Sequence, residues 1–132
     1  MSDFKHVEGL RVLVNQVVYM PTLQSPVDKP HPFVYYLTVV NDSDKVIQIL
    51  GRKWLVIEND GETVVVEGSG VVGEIPVLKP GEKFSYNSYH VVARSAEVAG
   101  GLYGVTHTKD GVANQKIMVE IPEFTLTCPG QQ

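Results

Sequence analysis

Apolar and polar residues alternate with a period of two along most of this chain. In Leu10–Met20, written LRVLVNQVVYM, Leu10, Val12 and Val14 fall on one face of an extended strand. The segment FVYYLTVVN is rich in β-branched and aromatic residues, which suit a pleated surface. Similar segments follow: VIQILGRKWLVIEN, ETVVVEG, KFSYNSYHVV, GLYGVTHT and QKIMVEIPEFTL. This pattern predicts about seven strands, and the intervals between them are too short for a helix.

Turn signals separate the predicted strands. Asn59-Asp60-Gly61 and Lys109-Asp110-Gly111 each lie between two alternating runs, and Asp-Gly suits the positive φ angles of tight hairpin turns. The segment Leu78–Glu82 contains Pro-Gly, in which proline presets φ and glycine accepts the positive angle. Many short strands with frequent turns indicate an all-β antiparallel sandwich or barrel. Trp54, in the middle of a predicted strand, is expected to anchor the core.

Composition and charge limit the classes of partner. The 132 residues, 43% of them hydrophobic, predict one domain over residues 1–132, with residues 1–6 and 129–132 as flexible ends. A net charge of -4 with scattered basic residues argues against binding to nucleic acid. No apolar run approaches the ~20 residues that cross a bilayer, so no membrane contact is predicted. The first residues, MSDFKHVEG, lack a signal-peptide pattern, and one cysteine suits a reducing cytoplasm.

No catalytic or metal-binding constellation stands out. Cys128 lies in the tail TCPGQQ, where we expect frayed chain rather than an organised nucleophile. His90 and His107 lie on predicted strands and could meet across one sheet, but no two histidines have the spacing of a local metal motif. There is no G-x-S-x-G nucleophile elbow. The sequence therefore predicts a protein that is not an enzyme and has no cofactor or metal.

One stretch, GSGVVGEIP at positions 68–76, matches the G-x-G-x-x-G pattern of dinucleotide-binding loops. That motif requires a helix directly after it, because the helix amino terminus binds the pyrophosphate. Pro76 and Pro80 exclude a helix here. Two roles stay open: the glycines serve the turn, or successive N–H groups bind an anion without a helix. The candidate residues for binding an anion or a partner are Gly68, Ser69, Gly70, Val71, Val72, Gly73 and Glu74, although the carboxylate of Glu74 disfavours an anion.

Four segments together resemble the ApaG family, also called DUF525: NDSDKVIQILGRKWLVIENDGE, VEGSGVVGEIPVLKPGEKFSY, GGLYGV and VEIPEFTL. The most specific match runs from Gly68 to Phe84. The resemblance implies a fibronectin type III-like β-sandwich with no established enzymatic activity. It also implies a domain that mediates contacts between proteins, as in certain eukaryotic F-box proteins. Bacterial members carry a genetic link to cobalt resistance and magnesium efflux, and their gene often lies beside one for a diadenosine tetraphosphatase.

The chain departs from the family pattern in two places. Arg52-Lys53-Trp54 stands where members often have Arg-His-Trp, so a metal role through that histidine is lost. The segment 87–100 differs in sequence, and we expect an unusual loop from Tyr89 to Gly100. The leading hypothesis is a cytoplasmic module that binds another protein, with a homodimer as a further expectation because sandwich edges invite pairing. The alternative is binding of phosphate, pyrophosphate or a dinucleoside polyphosphate through residues 68–76. A third possibility is a hydrolase of such phosphate anhydrides, although the sequence places no metal ligands or base for that reaction.

Overall fold

Eight strands form two antiparallel sheets that pack face to face. A computed structural model describes residues 4–108 and 110–130 of the chain. The strands are β1 (Leu10–Tyr19), β2 (His31–Asn41), β3 (Val46–Glu58), β4 (Thr63–Ser69), β5 (Val77–Leu78), β6 (Lys83–Val92), β7 (Ala96–His107) and β8 (Ala113–Leu126). The described residues contain no helix, and accordingly none that could span a membrane. The predicted all-β antiparallel sandwich is confirmed, and the strand beyond the predicted seven is the two-residue β5.

The order of strands leaves one side of the sandwich open. The first sheet has the order β1-β2-β6, and the second has the order β4-β3-β7-β8 with β5 paired to β3 beyond the end of β4. Strands β1 and β8 pack against each other and close one side. Strands β4 and β6 are therefore the edges on the opposite side, where the two sheets enclose a cleft.

The core lies between the two sheets, where the inward residues of each alternating strand meet. Trp54 is 1% exposed and contacts Tyr35, with ring centroids 5.0 Å apart in an edge-on arrangement. Leu37, Ile49 and Leu102 are buried around them. Trp54 is the core anchor that its position on a predicted strand indicated. Aromatic pairs in this geometry add about 0.5–1.5 kcal/mol to the effect of buried area.

The predicted turns form as their residues require. Gly61 and Gly111 have φ angles of 90° and 80°, and they follow the ends of β3 and β7. At Pro80-Gly81, the N–H of Glu82 donates to the carbonyl of Lys79 at 2.9 Å, and Gly81 has a φ of 88°. That hydrogen bond with a positive φ at the third residue defines a type II turn.

Two sequence-based expectations are wrong. The segment 87–100 is not a loop, because β6 continues to Val92 and β7 begins at Ala96. Cys128 is not in a frayed tail: its side chain is 1% exposed within the core, and its N–H donates to Oγ of Ser95 at 2.8 Å. Alternation within a strand does not reveal where a strand ends or which tail residue packs back, since both depend on distant contacts.

The chain ends were predicted to be flexible over residues 1–6 and 129–132. Residues 1–3 and 131–132 lie outside the described residues. Lys5 pairs with β8, where its N–H donates to the carbonyl of Lys116 and its carbonyl accepts from Met118, each at 3.0 Å. Phe4 then contacts the ring of Tyr103, with centroids 6.2 Å apart. The described part of the amino-terminal segment is thus held against the second sheet.

Candidate functional site

The glycine motif forms a hairpin between β4 and β5, at the edge of the second sheet. Gly68 and Ser69 end β4, and Val71 pairs with Glu74 across a two-residue turn. The N–H of Val71 donates to the carbonyl of Glu74 at 2.8 Å, and the reverse bond is 3.0 Å. Both ends of the hairpin are bound to β3, because Gly70 donates to Leu50 at 2.6 Å and Ile49 donates to Pro76 at 3.0 Å. We refer to residues 70–76 as the edge hairpin.

The first two glycines of the motif provide space in the fold. A Cβ on Gly68 would lie 2.8 Å from Nη1 of Arg52, whose guanidinium donates to the carbonyls of Ser69 and Gly70 at 3.0 and 3.2 Å. Gly70 has a φ of 70°, and a Cβ there would lie 2.6 Å from the carbonyl oxygen of Glu74. Gly68 therefore accommodates Arg52, and Gly70 accommodates the reversal of the chain.

The turn of the edge hairpin contains the only non-glycine residue with a positive φ among those the structure describes. Val72 has a φ of 50° and is followed by Gly73 at 80°, the combination of a type I′ turn. A β-branched residue in this region is a genuine outlier, and the left-handed conformation costs an L-residue roughly 1–2 kcal/mol. Glycine, asparagine or aspartate would relieve that cost. Backbone strain of this kind concentrates at functional positions.

The edge hairpin, with Val77 at the start of β5, exposes apolar side chains next to its one buried anchor. Val71 is fully buried in the core, whereas Val72, Ile75 and Val77 are 55%, 50% and 46% exposed. The motif thus places an anchored, strained turn under a small apolar surface. We call Val72, Ile75 and Val77 the hairpin surface.

The N–H groups of the loop are mostly used by the chain itself. Those of Gly70, Val71 and Glu74 donate to backbone carbonyls. Within the described residues, the N–H groups of Val72, Gly73 and Ile75 form no backbone hydrogen bond, and those of Val72 and Gly73 are the only two that are successive. An anion-binding concavity requires several successive N–H groups directed at one point. The loop therefore provides few of the donors that an anion would need.

Replacing Val72 with asparagine is expected to stabilise the protein by about 1 kcal/mol, since asparagine tolerates the left-handed region better than a β-branched residue does. Val27 is the matched control: it is 99% exposed and does not have a positive φ, so Val27→Asn is expected to change stability by less than about 0.5 kcal/mol. Urea unfolding of both variants measures the difference. Equal midpoints for the two variants would show that Val72 is not strained.

A second candidate region is the cleft on the open side of the sandwich. Its cavity of about 390 Å³ is lined by Lys29, Glu58, Val64, Val66 and His90, among others. His90 stacks on Tyr35 with ring centroids 4.9 Å apart and meets Trp54 edge-on at 5.2 Å. Burial lowers the pKa of His90 to about 4, because desolvation disfavours the charged imidazolium. His90 is therefore neutral near pH 7.

Two buried polar atoms along β6 lack partners within residues 4–108 and 110–130. They are Nε2 of His90 and the hydroxyl of Tyr86. Burial also raises the pKa of Tyr86, so its hydroxyl stays protonated. An unpaired buried polar group costs about 1–3 kcal/mol, and these two lie on the strand that borders the open cleft.

The buried imidazole predicts a pH dependence. The unfolded chain binds a proton at His90 near pH 6.5, whereas the folded chain binds it only near pH 4. Stability is then lost as pH falls through this window, by about 3 kcal/mol in total. His90→Phe keeps an aromatic ring beside Tyr35 and removes the titration. The free energy of unfolding measured from pH 7 to pH 4 should fall more steeply in the parent protein than in His90→Phe, and parallel curves would contradict this.

The outer face of the second sheet holds a third region that the sequence reading missed. A shallow groove of about 1380 Å³ crosses it. Leu55 pairs with Val65 on one side and Ala99 on the other, which makes an apolar row, and Gly101 contributes no side chain to the next row. A sandwich sheet normally has a polar outer face. The sequence signal is in LVIEN, where Leu55 and Ile57 place apolar residues on the strand face that alternation would leave polar.

The histidines predicted to meet across one sheet do not. His90 is on β6 in the first sheet and His107 is on β7 in the second. Nε2 of His107 lies 2.9 Å from Oε1 of Gln48. Within the described ranges, no three His, Cys, Asp or Glu side chains are grouped so as to hold a metal ion. Burial raises the pKa of the Cys128 thiol, which makes it a poor nucleophile at neutral pH.

Comparisons with known proteins agree with the motif and the fold. The family model of the ApaG domain, DUF525, matches residues 21–107. A protein named ApaG from Pseudomonas aeruginosa is 35% identical over 130 residues, covering 98% of both chains. Protein ApaG from Nitrosomonas europaea is 37% identical over 114 residues, covering 86% of this chain and 87% of that protein.

Solved structures show the same sandwich. A crystal structure of a Bordetella pertussis protein that carries the name ApaA has a TM-score of 0.77 and 28% identity, and the match covers 96% of this chain and 98% of that one. The X-ray structure of the structural-genomics target SoR45 has a TM-score of 0.79 at 28% identity, covering 94% and 90%. The edge hairpin with its Gly68 to Phe84 signature lies within the matched domain, and the chain belongs to the ApaG family.

Proposed function

We propose that this chain is a cytoplasmic binding module without catalytic activity, and that the edge hairpin contacts a partner protein. The observation that carries the proposal is Val72, a β-branched residue held at a φ of 50° with 55% of its surface exposed. Its conformation costs stability, and more than half of its apolar surface stays exposed within the described chain. A residue that is unfavourable in the free protein in both respects is explained by a contact made in a complex.

The rest of the hairpin surface supports a protein partner rather than a small polar ligand. Ile75 and Val77 extend the apolar area beside Val72, and buried Val71 fixes the turn to the core. Loops held on a rigid scaffold commonly carry recognition. The apolar row on the outer face of the second sheet offers a further contact area. The cores of protein interfaces are depleted in charge, as the hairpin surface is.

The proposal includes the link to cobalt resistance and magnesium efflux only as an indirect consequence of binding. Within the described residues no cluster of His, Cys, Asp or Glu could hold a metal ion. The proposal therefore assigns no metal binding to the chain itself. A partner that acts on metal transport would connect the two. Cytoplasmic location is part of the same proposal and is tested by fractionation of cells that produce the tagged chain.

The experiment compares two valines that differ only in context. A photo-crosslinking residue is placed at position 72 in one variant and at position 27 in the other, and both are irradiated in native cell extract. We expect a specific protein adduct at position 72 and not at position 27. Binding of that protein should weaken by about tenfold or more in Val72→Asn and stay unchanged in Val27→Asn. Equal adducts at both positions, or equal affinities, would remove the hairpin from the proposal.

The alternative is binding of phosphate, pyrophosphate or a dinucleoside polyphosphate at residues 68–76. Arg52 is the feature that favours it, because its guanidinium bonds only carbonyls among the described contacts. The loop N–H groups that already bond backbone carbonyls, together with the nearby carboxylate of Glu74, argue against anion binding. Calorimetry with pyrophosphate and diadenosine tetraphosphate tests it. We expect no heat, whereas binding that strengthens in Glu74→Gln would favour the anion over the partner.

A further inference from the structure

Strand β6 has neither the register shift nor the proline that discourages pairing at the other sheet edges. Proteins protect edges with bulges, prolines, charges or covering segments. Strand β1 has a register shift between Val14 and Gln16, and β8 contains Pro122 and pairs with Lys5. Strand β4 has seven residues with Glu67 exposed near its middle. Strand β6 runs for ten residues, and its pairing with β2 has no register shift.

The free backbone groups of β6 can be assigned from the register. The N–H of Asn41 donates to the carbonyl of Glu82 at 3.0 Å, so this pair is a hydrogen-bonded one. Bonding pairs alternate along an antiparallel ladder. Residues at even positions of β6 therefore bond to β2, and those at odd positions direct their N–H and C=O outward. Pro32, which has no N–H, lies opposite Val91 at one of the non-bonded pairs, as this assignment requires.

The outward groups belong to Lys83, Ser85, Asn87, Tyr89 and Val91. No strand of the described chain pairs with β6 on this side. The strand has one charged side chain along its free edge, that of Lys83, and it lies at the strand's beginning. An exposed, regular edge with uncharged central residues is a template for another strand.

The sequence of β6 is complementary to itself in the antiparallel direction. With a twofold axis at Asn87, Ser85 faces Tyr89 of the second copy, and Lys83 faces Val91. No charge then faces a like charge, and the outward N–H and C=O groups form about ten hydrogen bonds between the chains. We propose that two copies of this chain pair through β6 and form a homodimer with a continuous six-stranded sheet.

The proposed dimer also covers the open side of each sandwich. Phe84 and Tyr86 point inward from β6 and are only partly buried at that side, with ring centroids 5.8 Å apart. In the dimer the inward side chains of the second strand lie beside these rings. An isologous interface of this kind closes on itself, so the pairing stops at two copies.

The test uses opposite charges at the twofold axis. Asn87 is exposed and its N–H is not used within the monomer, so Asn87→Lys and Asn87→Glu are expected to fold with melting temperatures near that of the parent. Each places like charges face to face in the dimer. Sedimentation at about 100 μM should find the parent dimeric and each variant alone monomeric. Mixing the two variants should restore a dimer, because the opposite charges then face each other. If each variant were monomeric only because it was unstable, mixing would not restore the dimer.

Glu120→Lys is the control, because it changes an exposed charge on β8, at the closed side of the sandwich, and should leave the dimer intact. The proposal is overturned if the parent protein sediments as a monomer at this concentration. It is also overturned if each Asn87 variant alone stays dimeric, or if the mixed variants stay monomeric. A dimer lost in Glu67→Lys but kept in Asn87→Lys would assign pairing to β4 instead.

Discussion

Replacing Glu58 with alanine is expected to lower the free energy of unfolding by about 2–3 kcal/mol, because its buried carboxylate accepts charge-assisted hydrogen bonds whose donors are only partly exposed. Glu58 is 2% exposed at the end of β3. Its carboxylate lies 2.8 Å from Nζ of Lys29 and 3.4 Å from Nη1 of Arg94, and it accepts from the N–H of Ala93 at 3.4 Å. The variant would leave these donors unpaired at the margin of the cleft.

Glu62 is the matched control for this prediction. It contacts the same Lys29 at 3.2 Å, but its side chain is 56% exposed. An exposed ion pair contributes about 0–1 kcal/mol, so Glu62→Ala should lower the melting temperature by only a few degrees, against about 10 °C for Glu58→Ala. Thermal unfolding followed by circular dichroism measures both. Similar shifts in the two variants would mean that burial of Glu58 does not govern the pair.

Replacing Gly104 with alanine is expected to cost about 3 kcal/mol, the upper range for overpacking a filled interior. Gly104 lies on β7 opposite Ile49, and a Cβ there would overlap the backbone carbonyl oxygen of Gln48. Backbone atoms in a paired strand cannot turn aside as a side chain can. The two central strands of the second sheet would have to separate locally.

The control for Gly104 lies three residues away on the same strand. Gly101 faces the outer groove, and a Cβ there would lie 3.3 Å from the carbonyl oxygen of Val119 and 3.9 Å from Cε of Met118. Gly101→Ala is expected to change stability by less than about 1 kcal/mol, because alanine also restricts the unfolded chain. Chemical unfolding of both variants gives the comparison. A large loss of stability in Gly101→Ala would contradict the assignment of this face of β7 to the open outer groove.

The structure and the family match together change the interpretation of GSGVVGEIP. Read as three glycines it suggested a nucleotide, and Pro76 and Pro80 already excluded the helix that a nucleotide would need. The edge hairpin now gives structural reasons for Gly68 and Gly70, one through the guanidinium of Arg52 and the other through the carbonyl of Glu74. What remains unexplained by the fold is Val72, and it is the residue on which the proposed partner contact depends.

Local patterns in the sequence determined the fold class, most strands and the main turns, because side-chain alternation and the φ preferences of Pro80-Gly81 and Asp60-Gly61 depend only on neighbouring residues. The family motif from Gly68 to Phe84 could also be read directly. Local patterns contain no information about which distant strand lies alongside. The closed and open sides of the sandwich, the burial of Cys128 and the pairing of Glu58 with Lys29 were therefore decided by tertiary structure, through contacts between residues far apart in the chain.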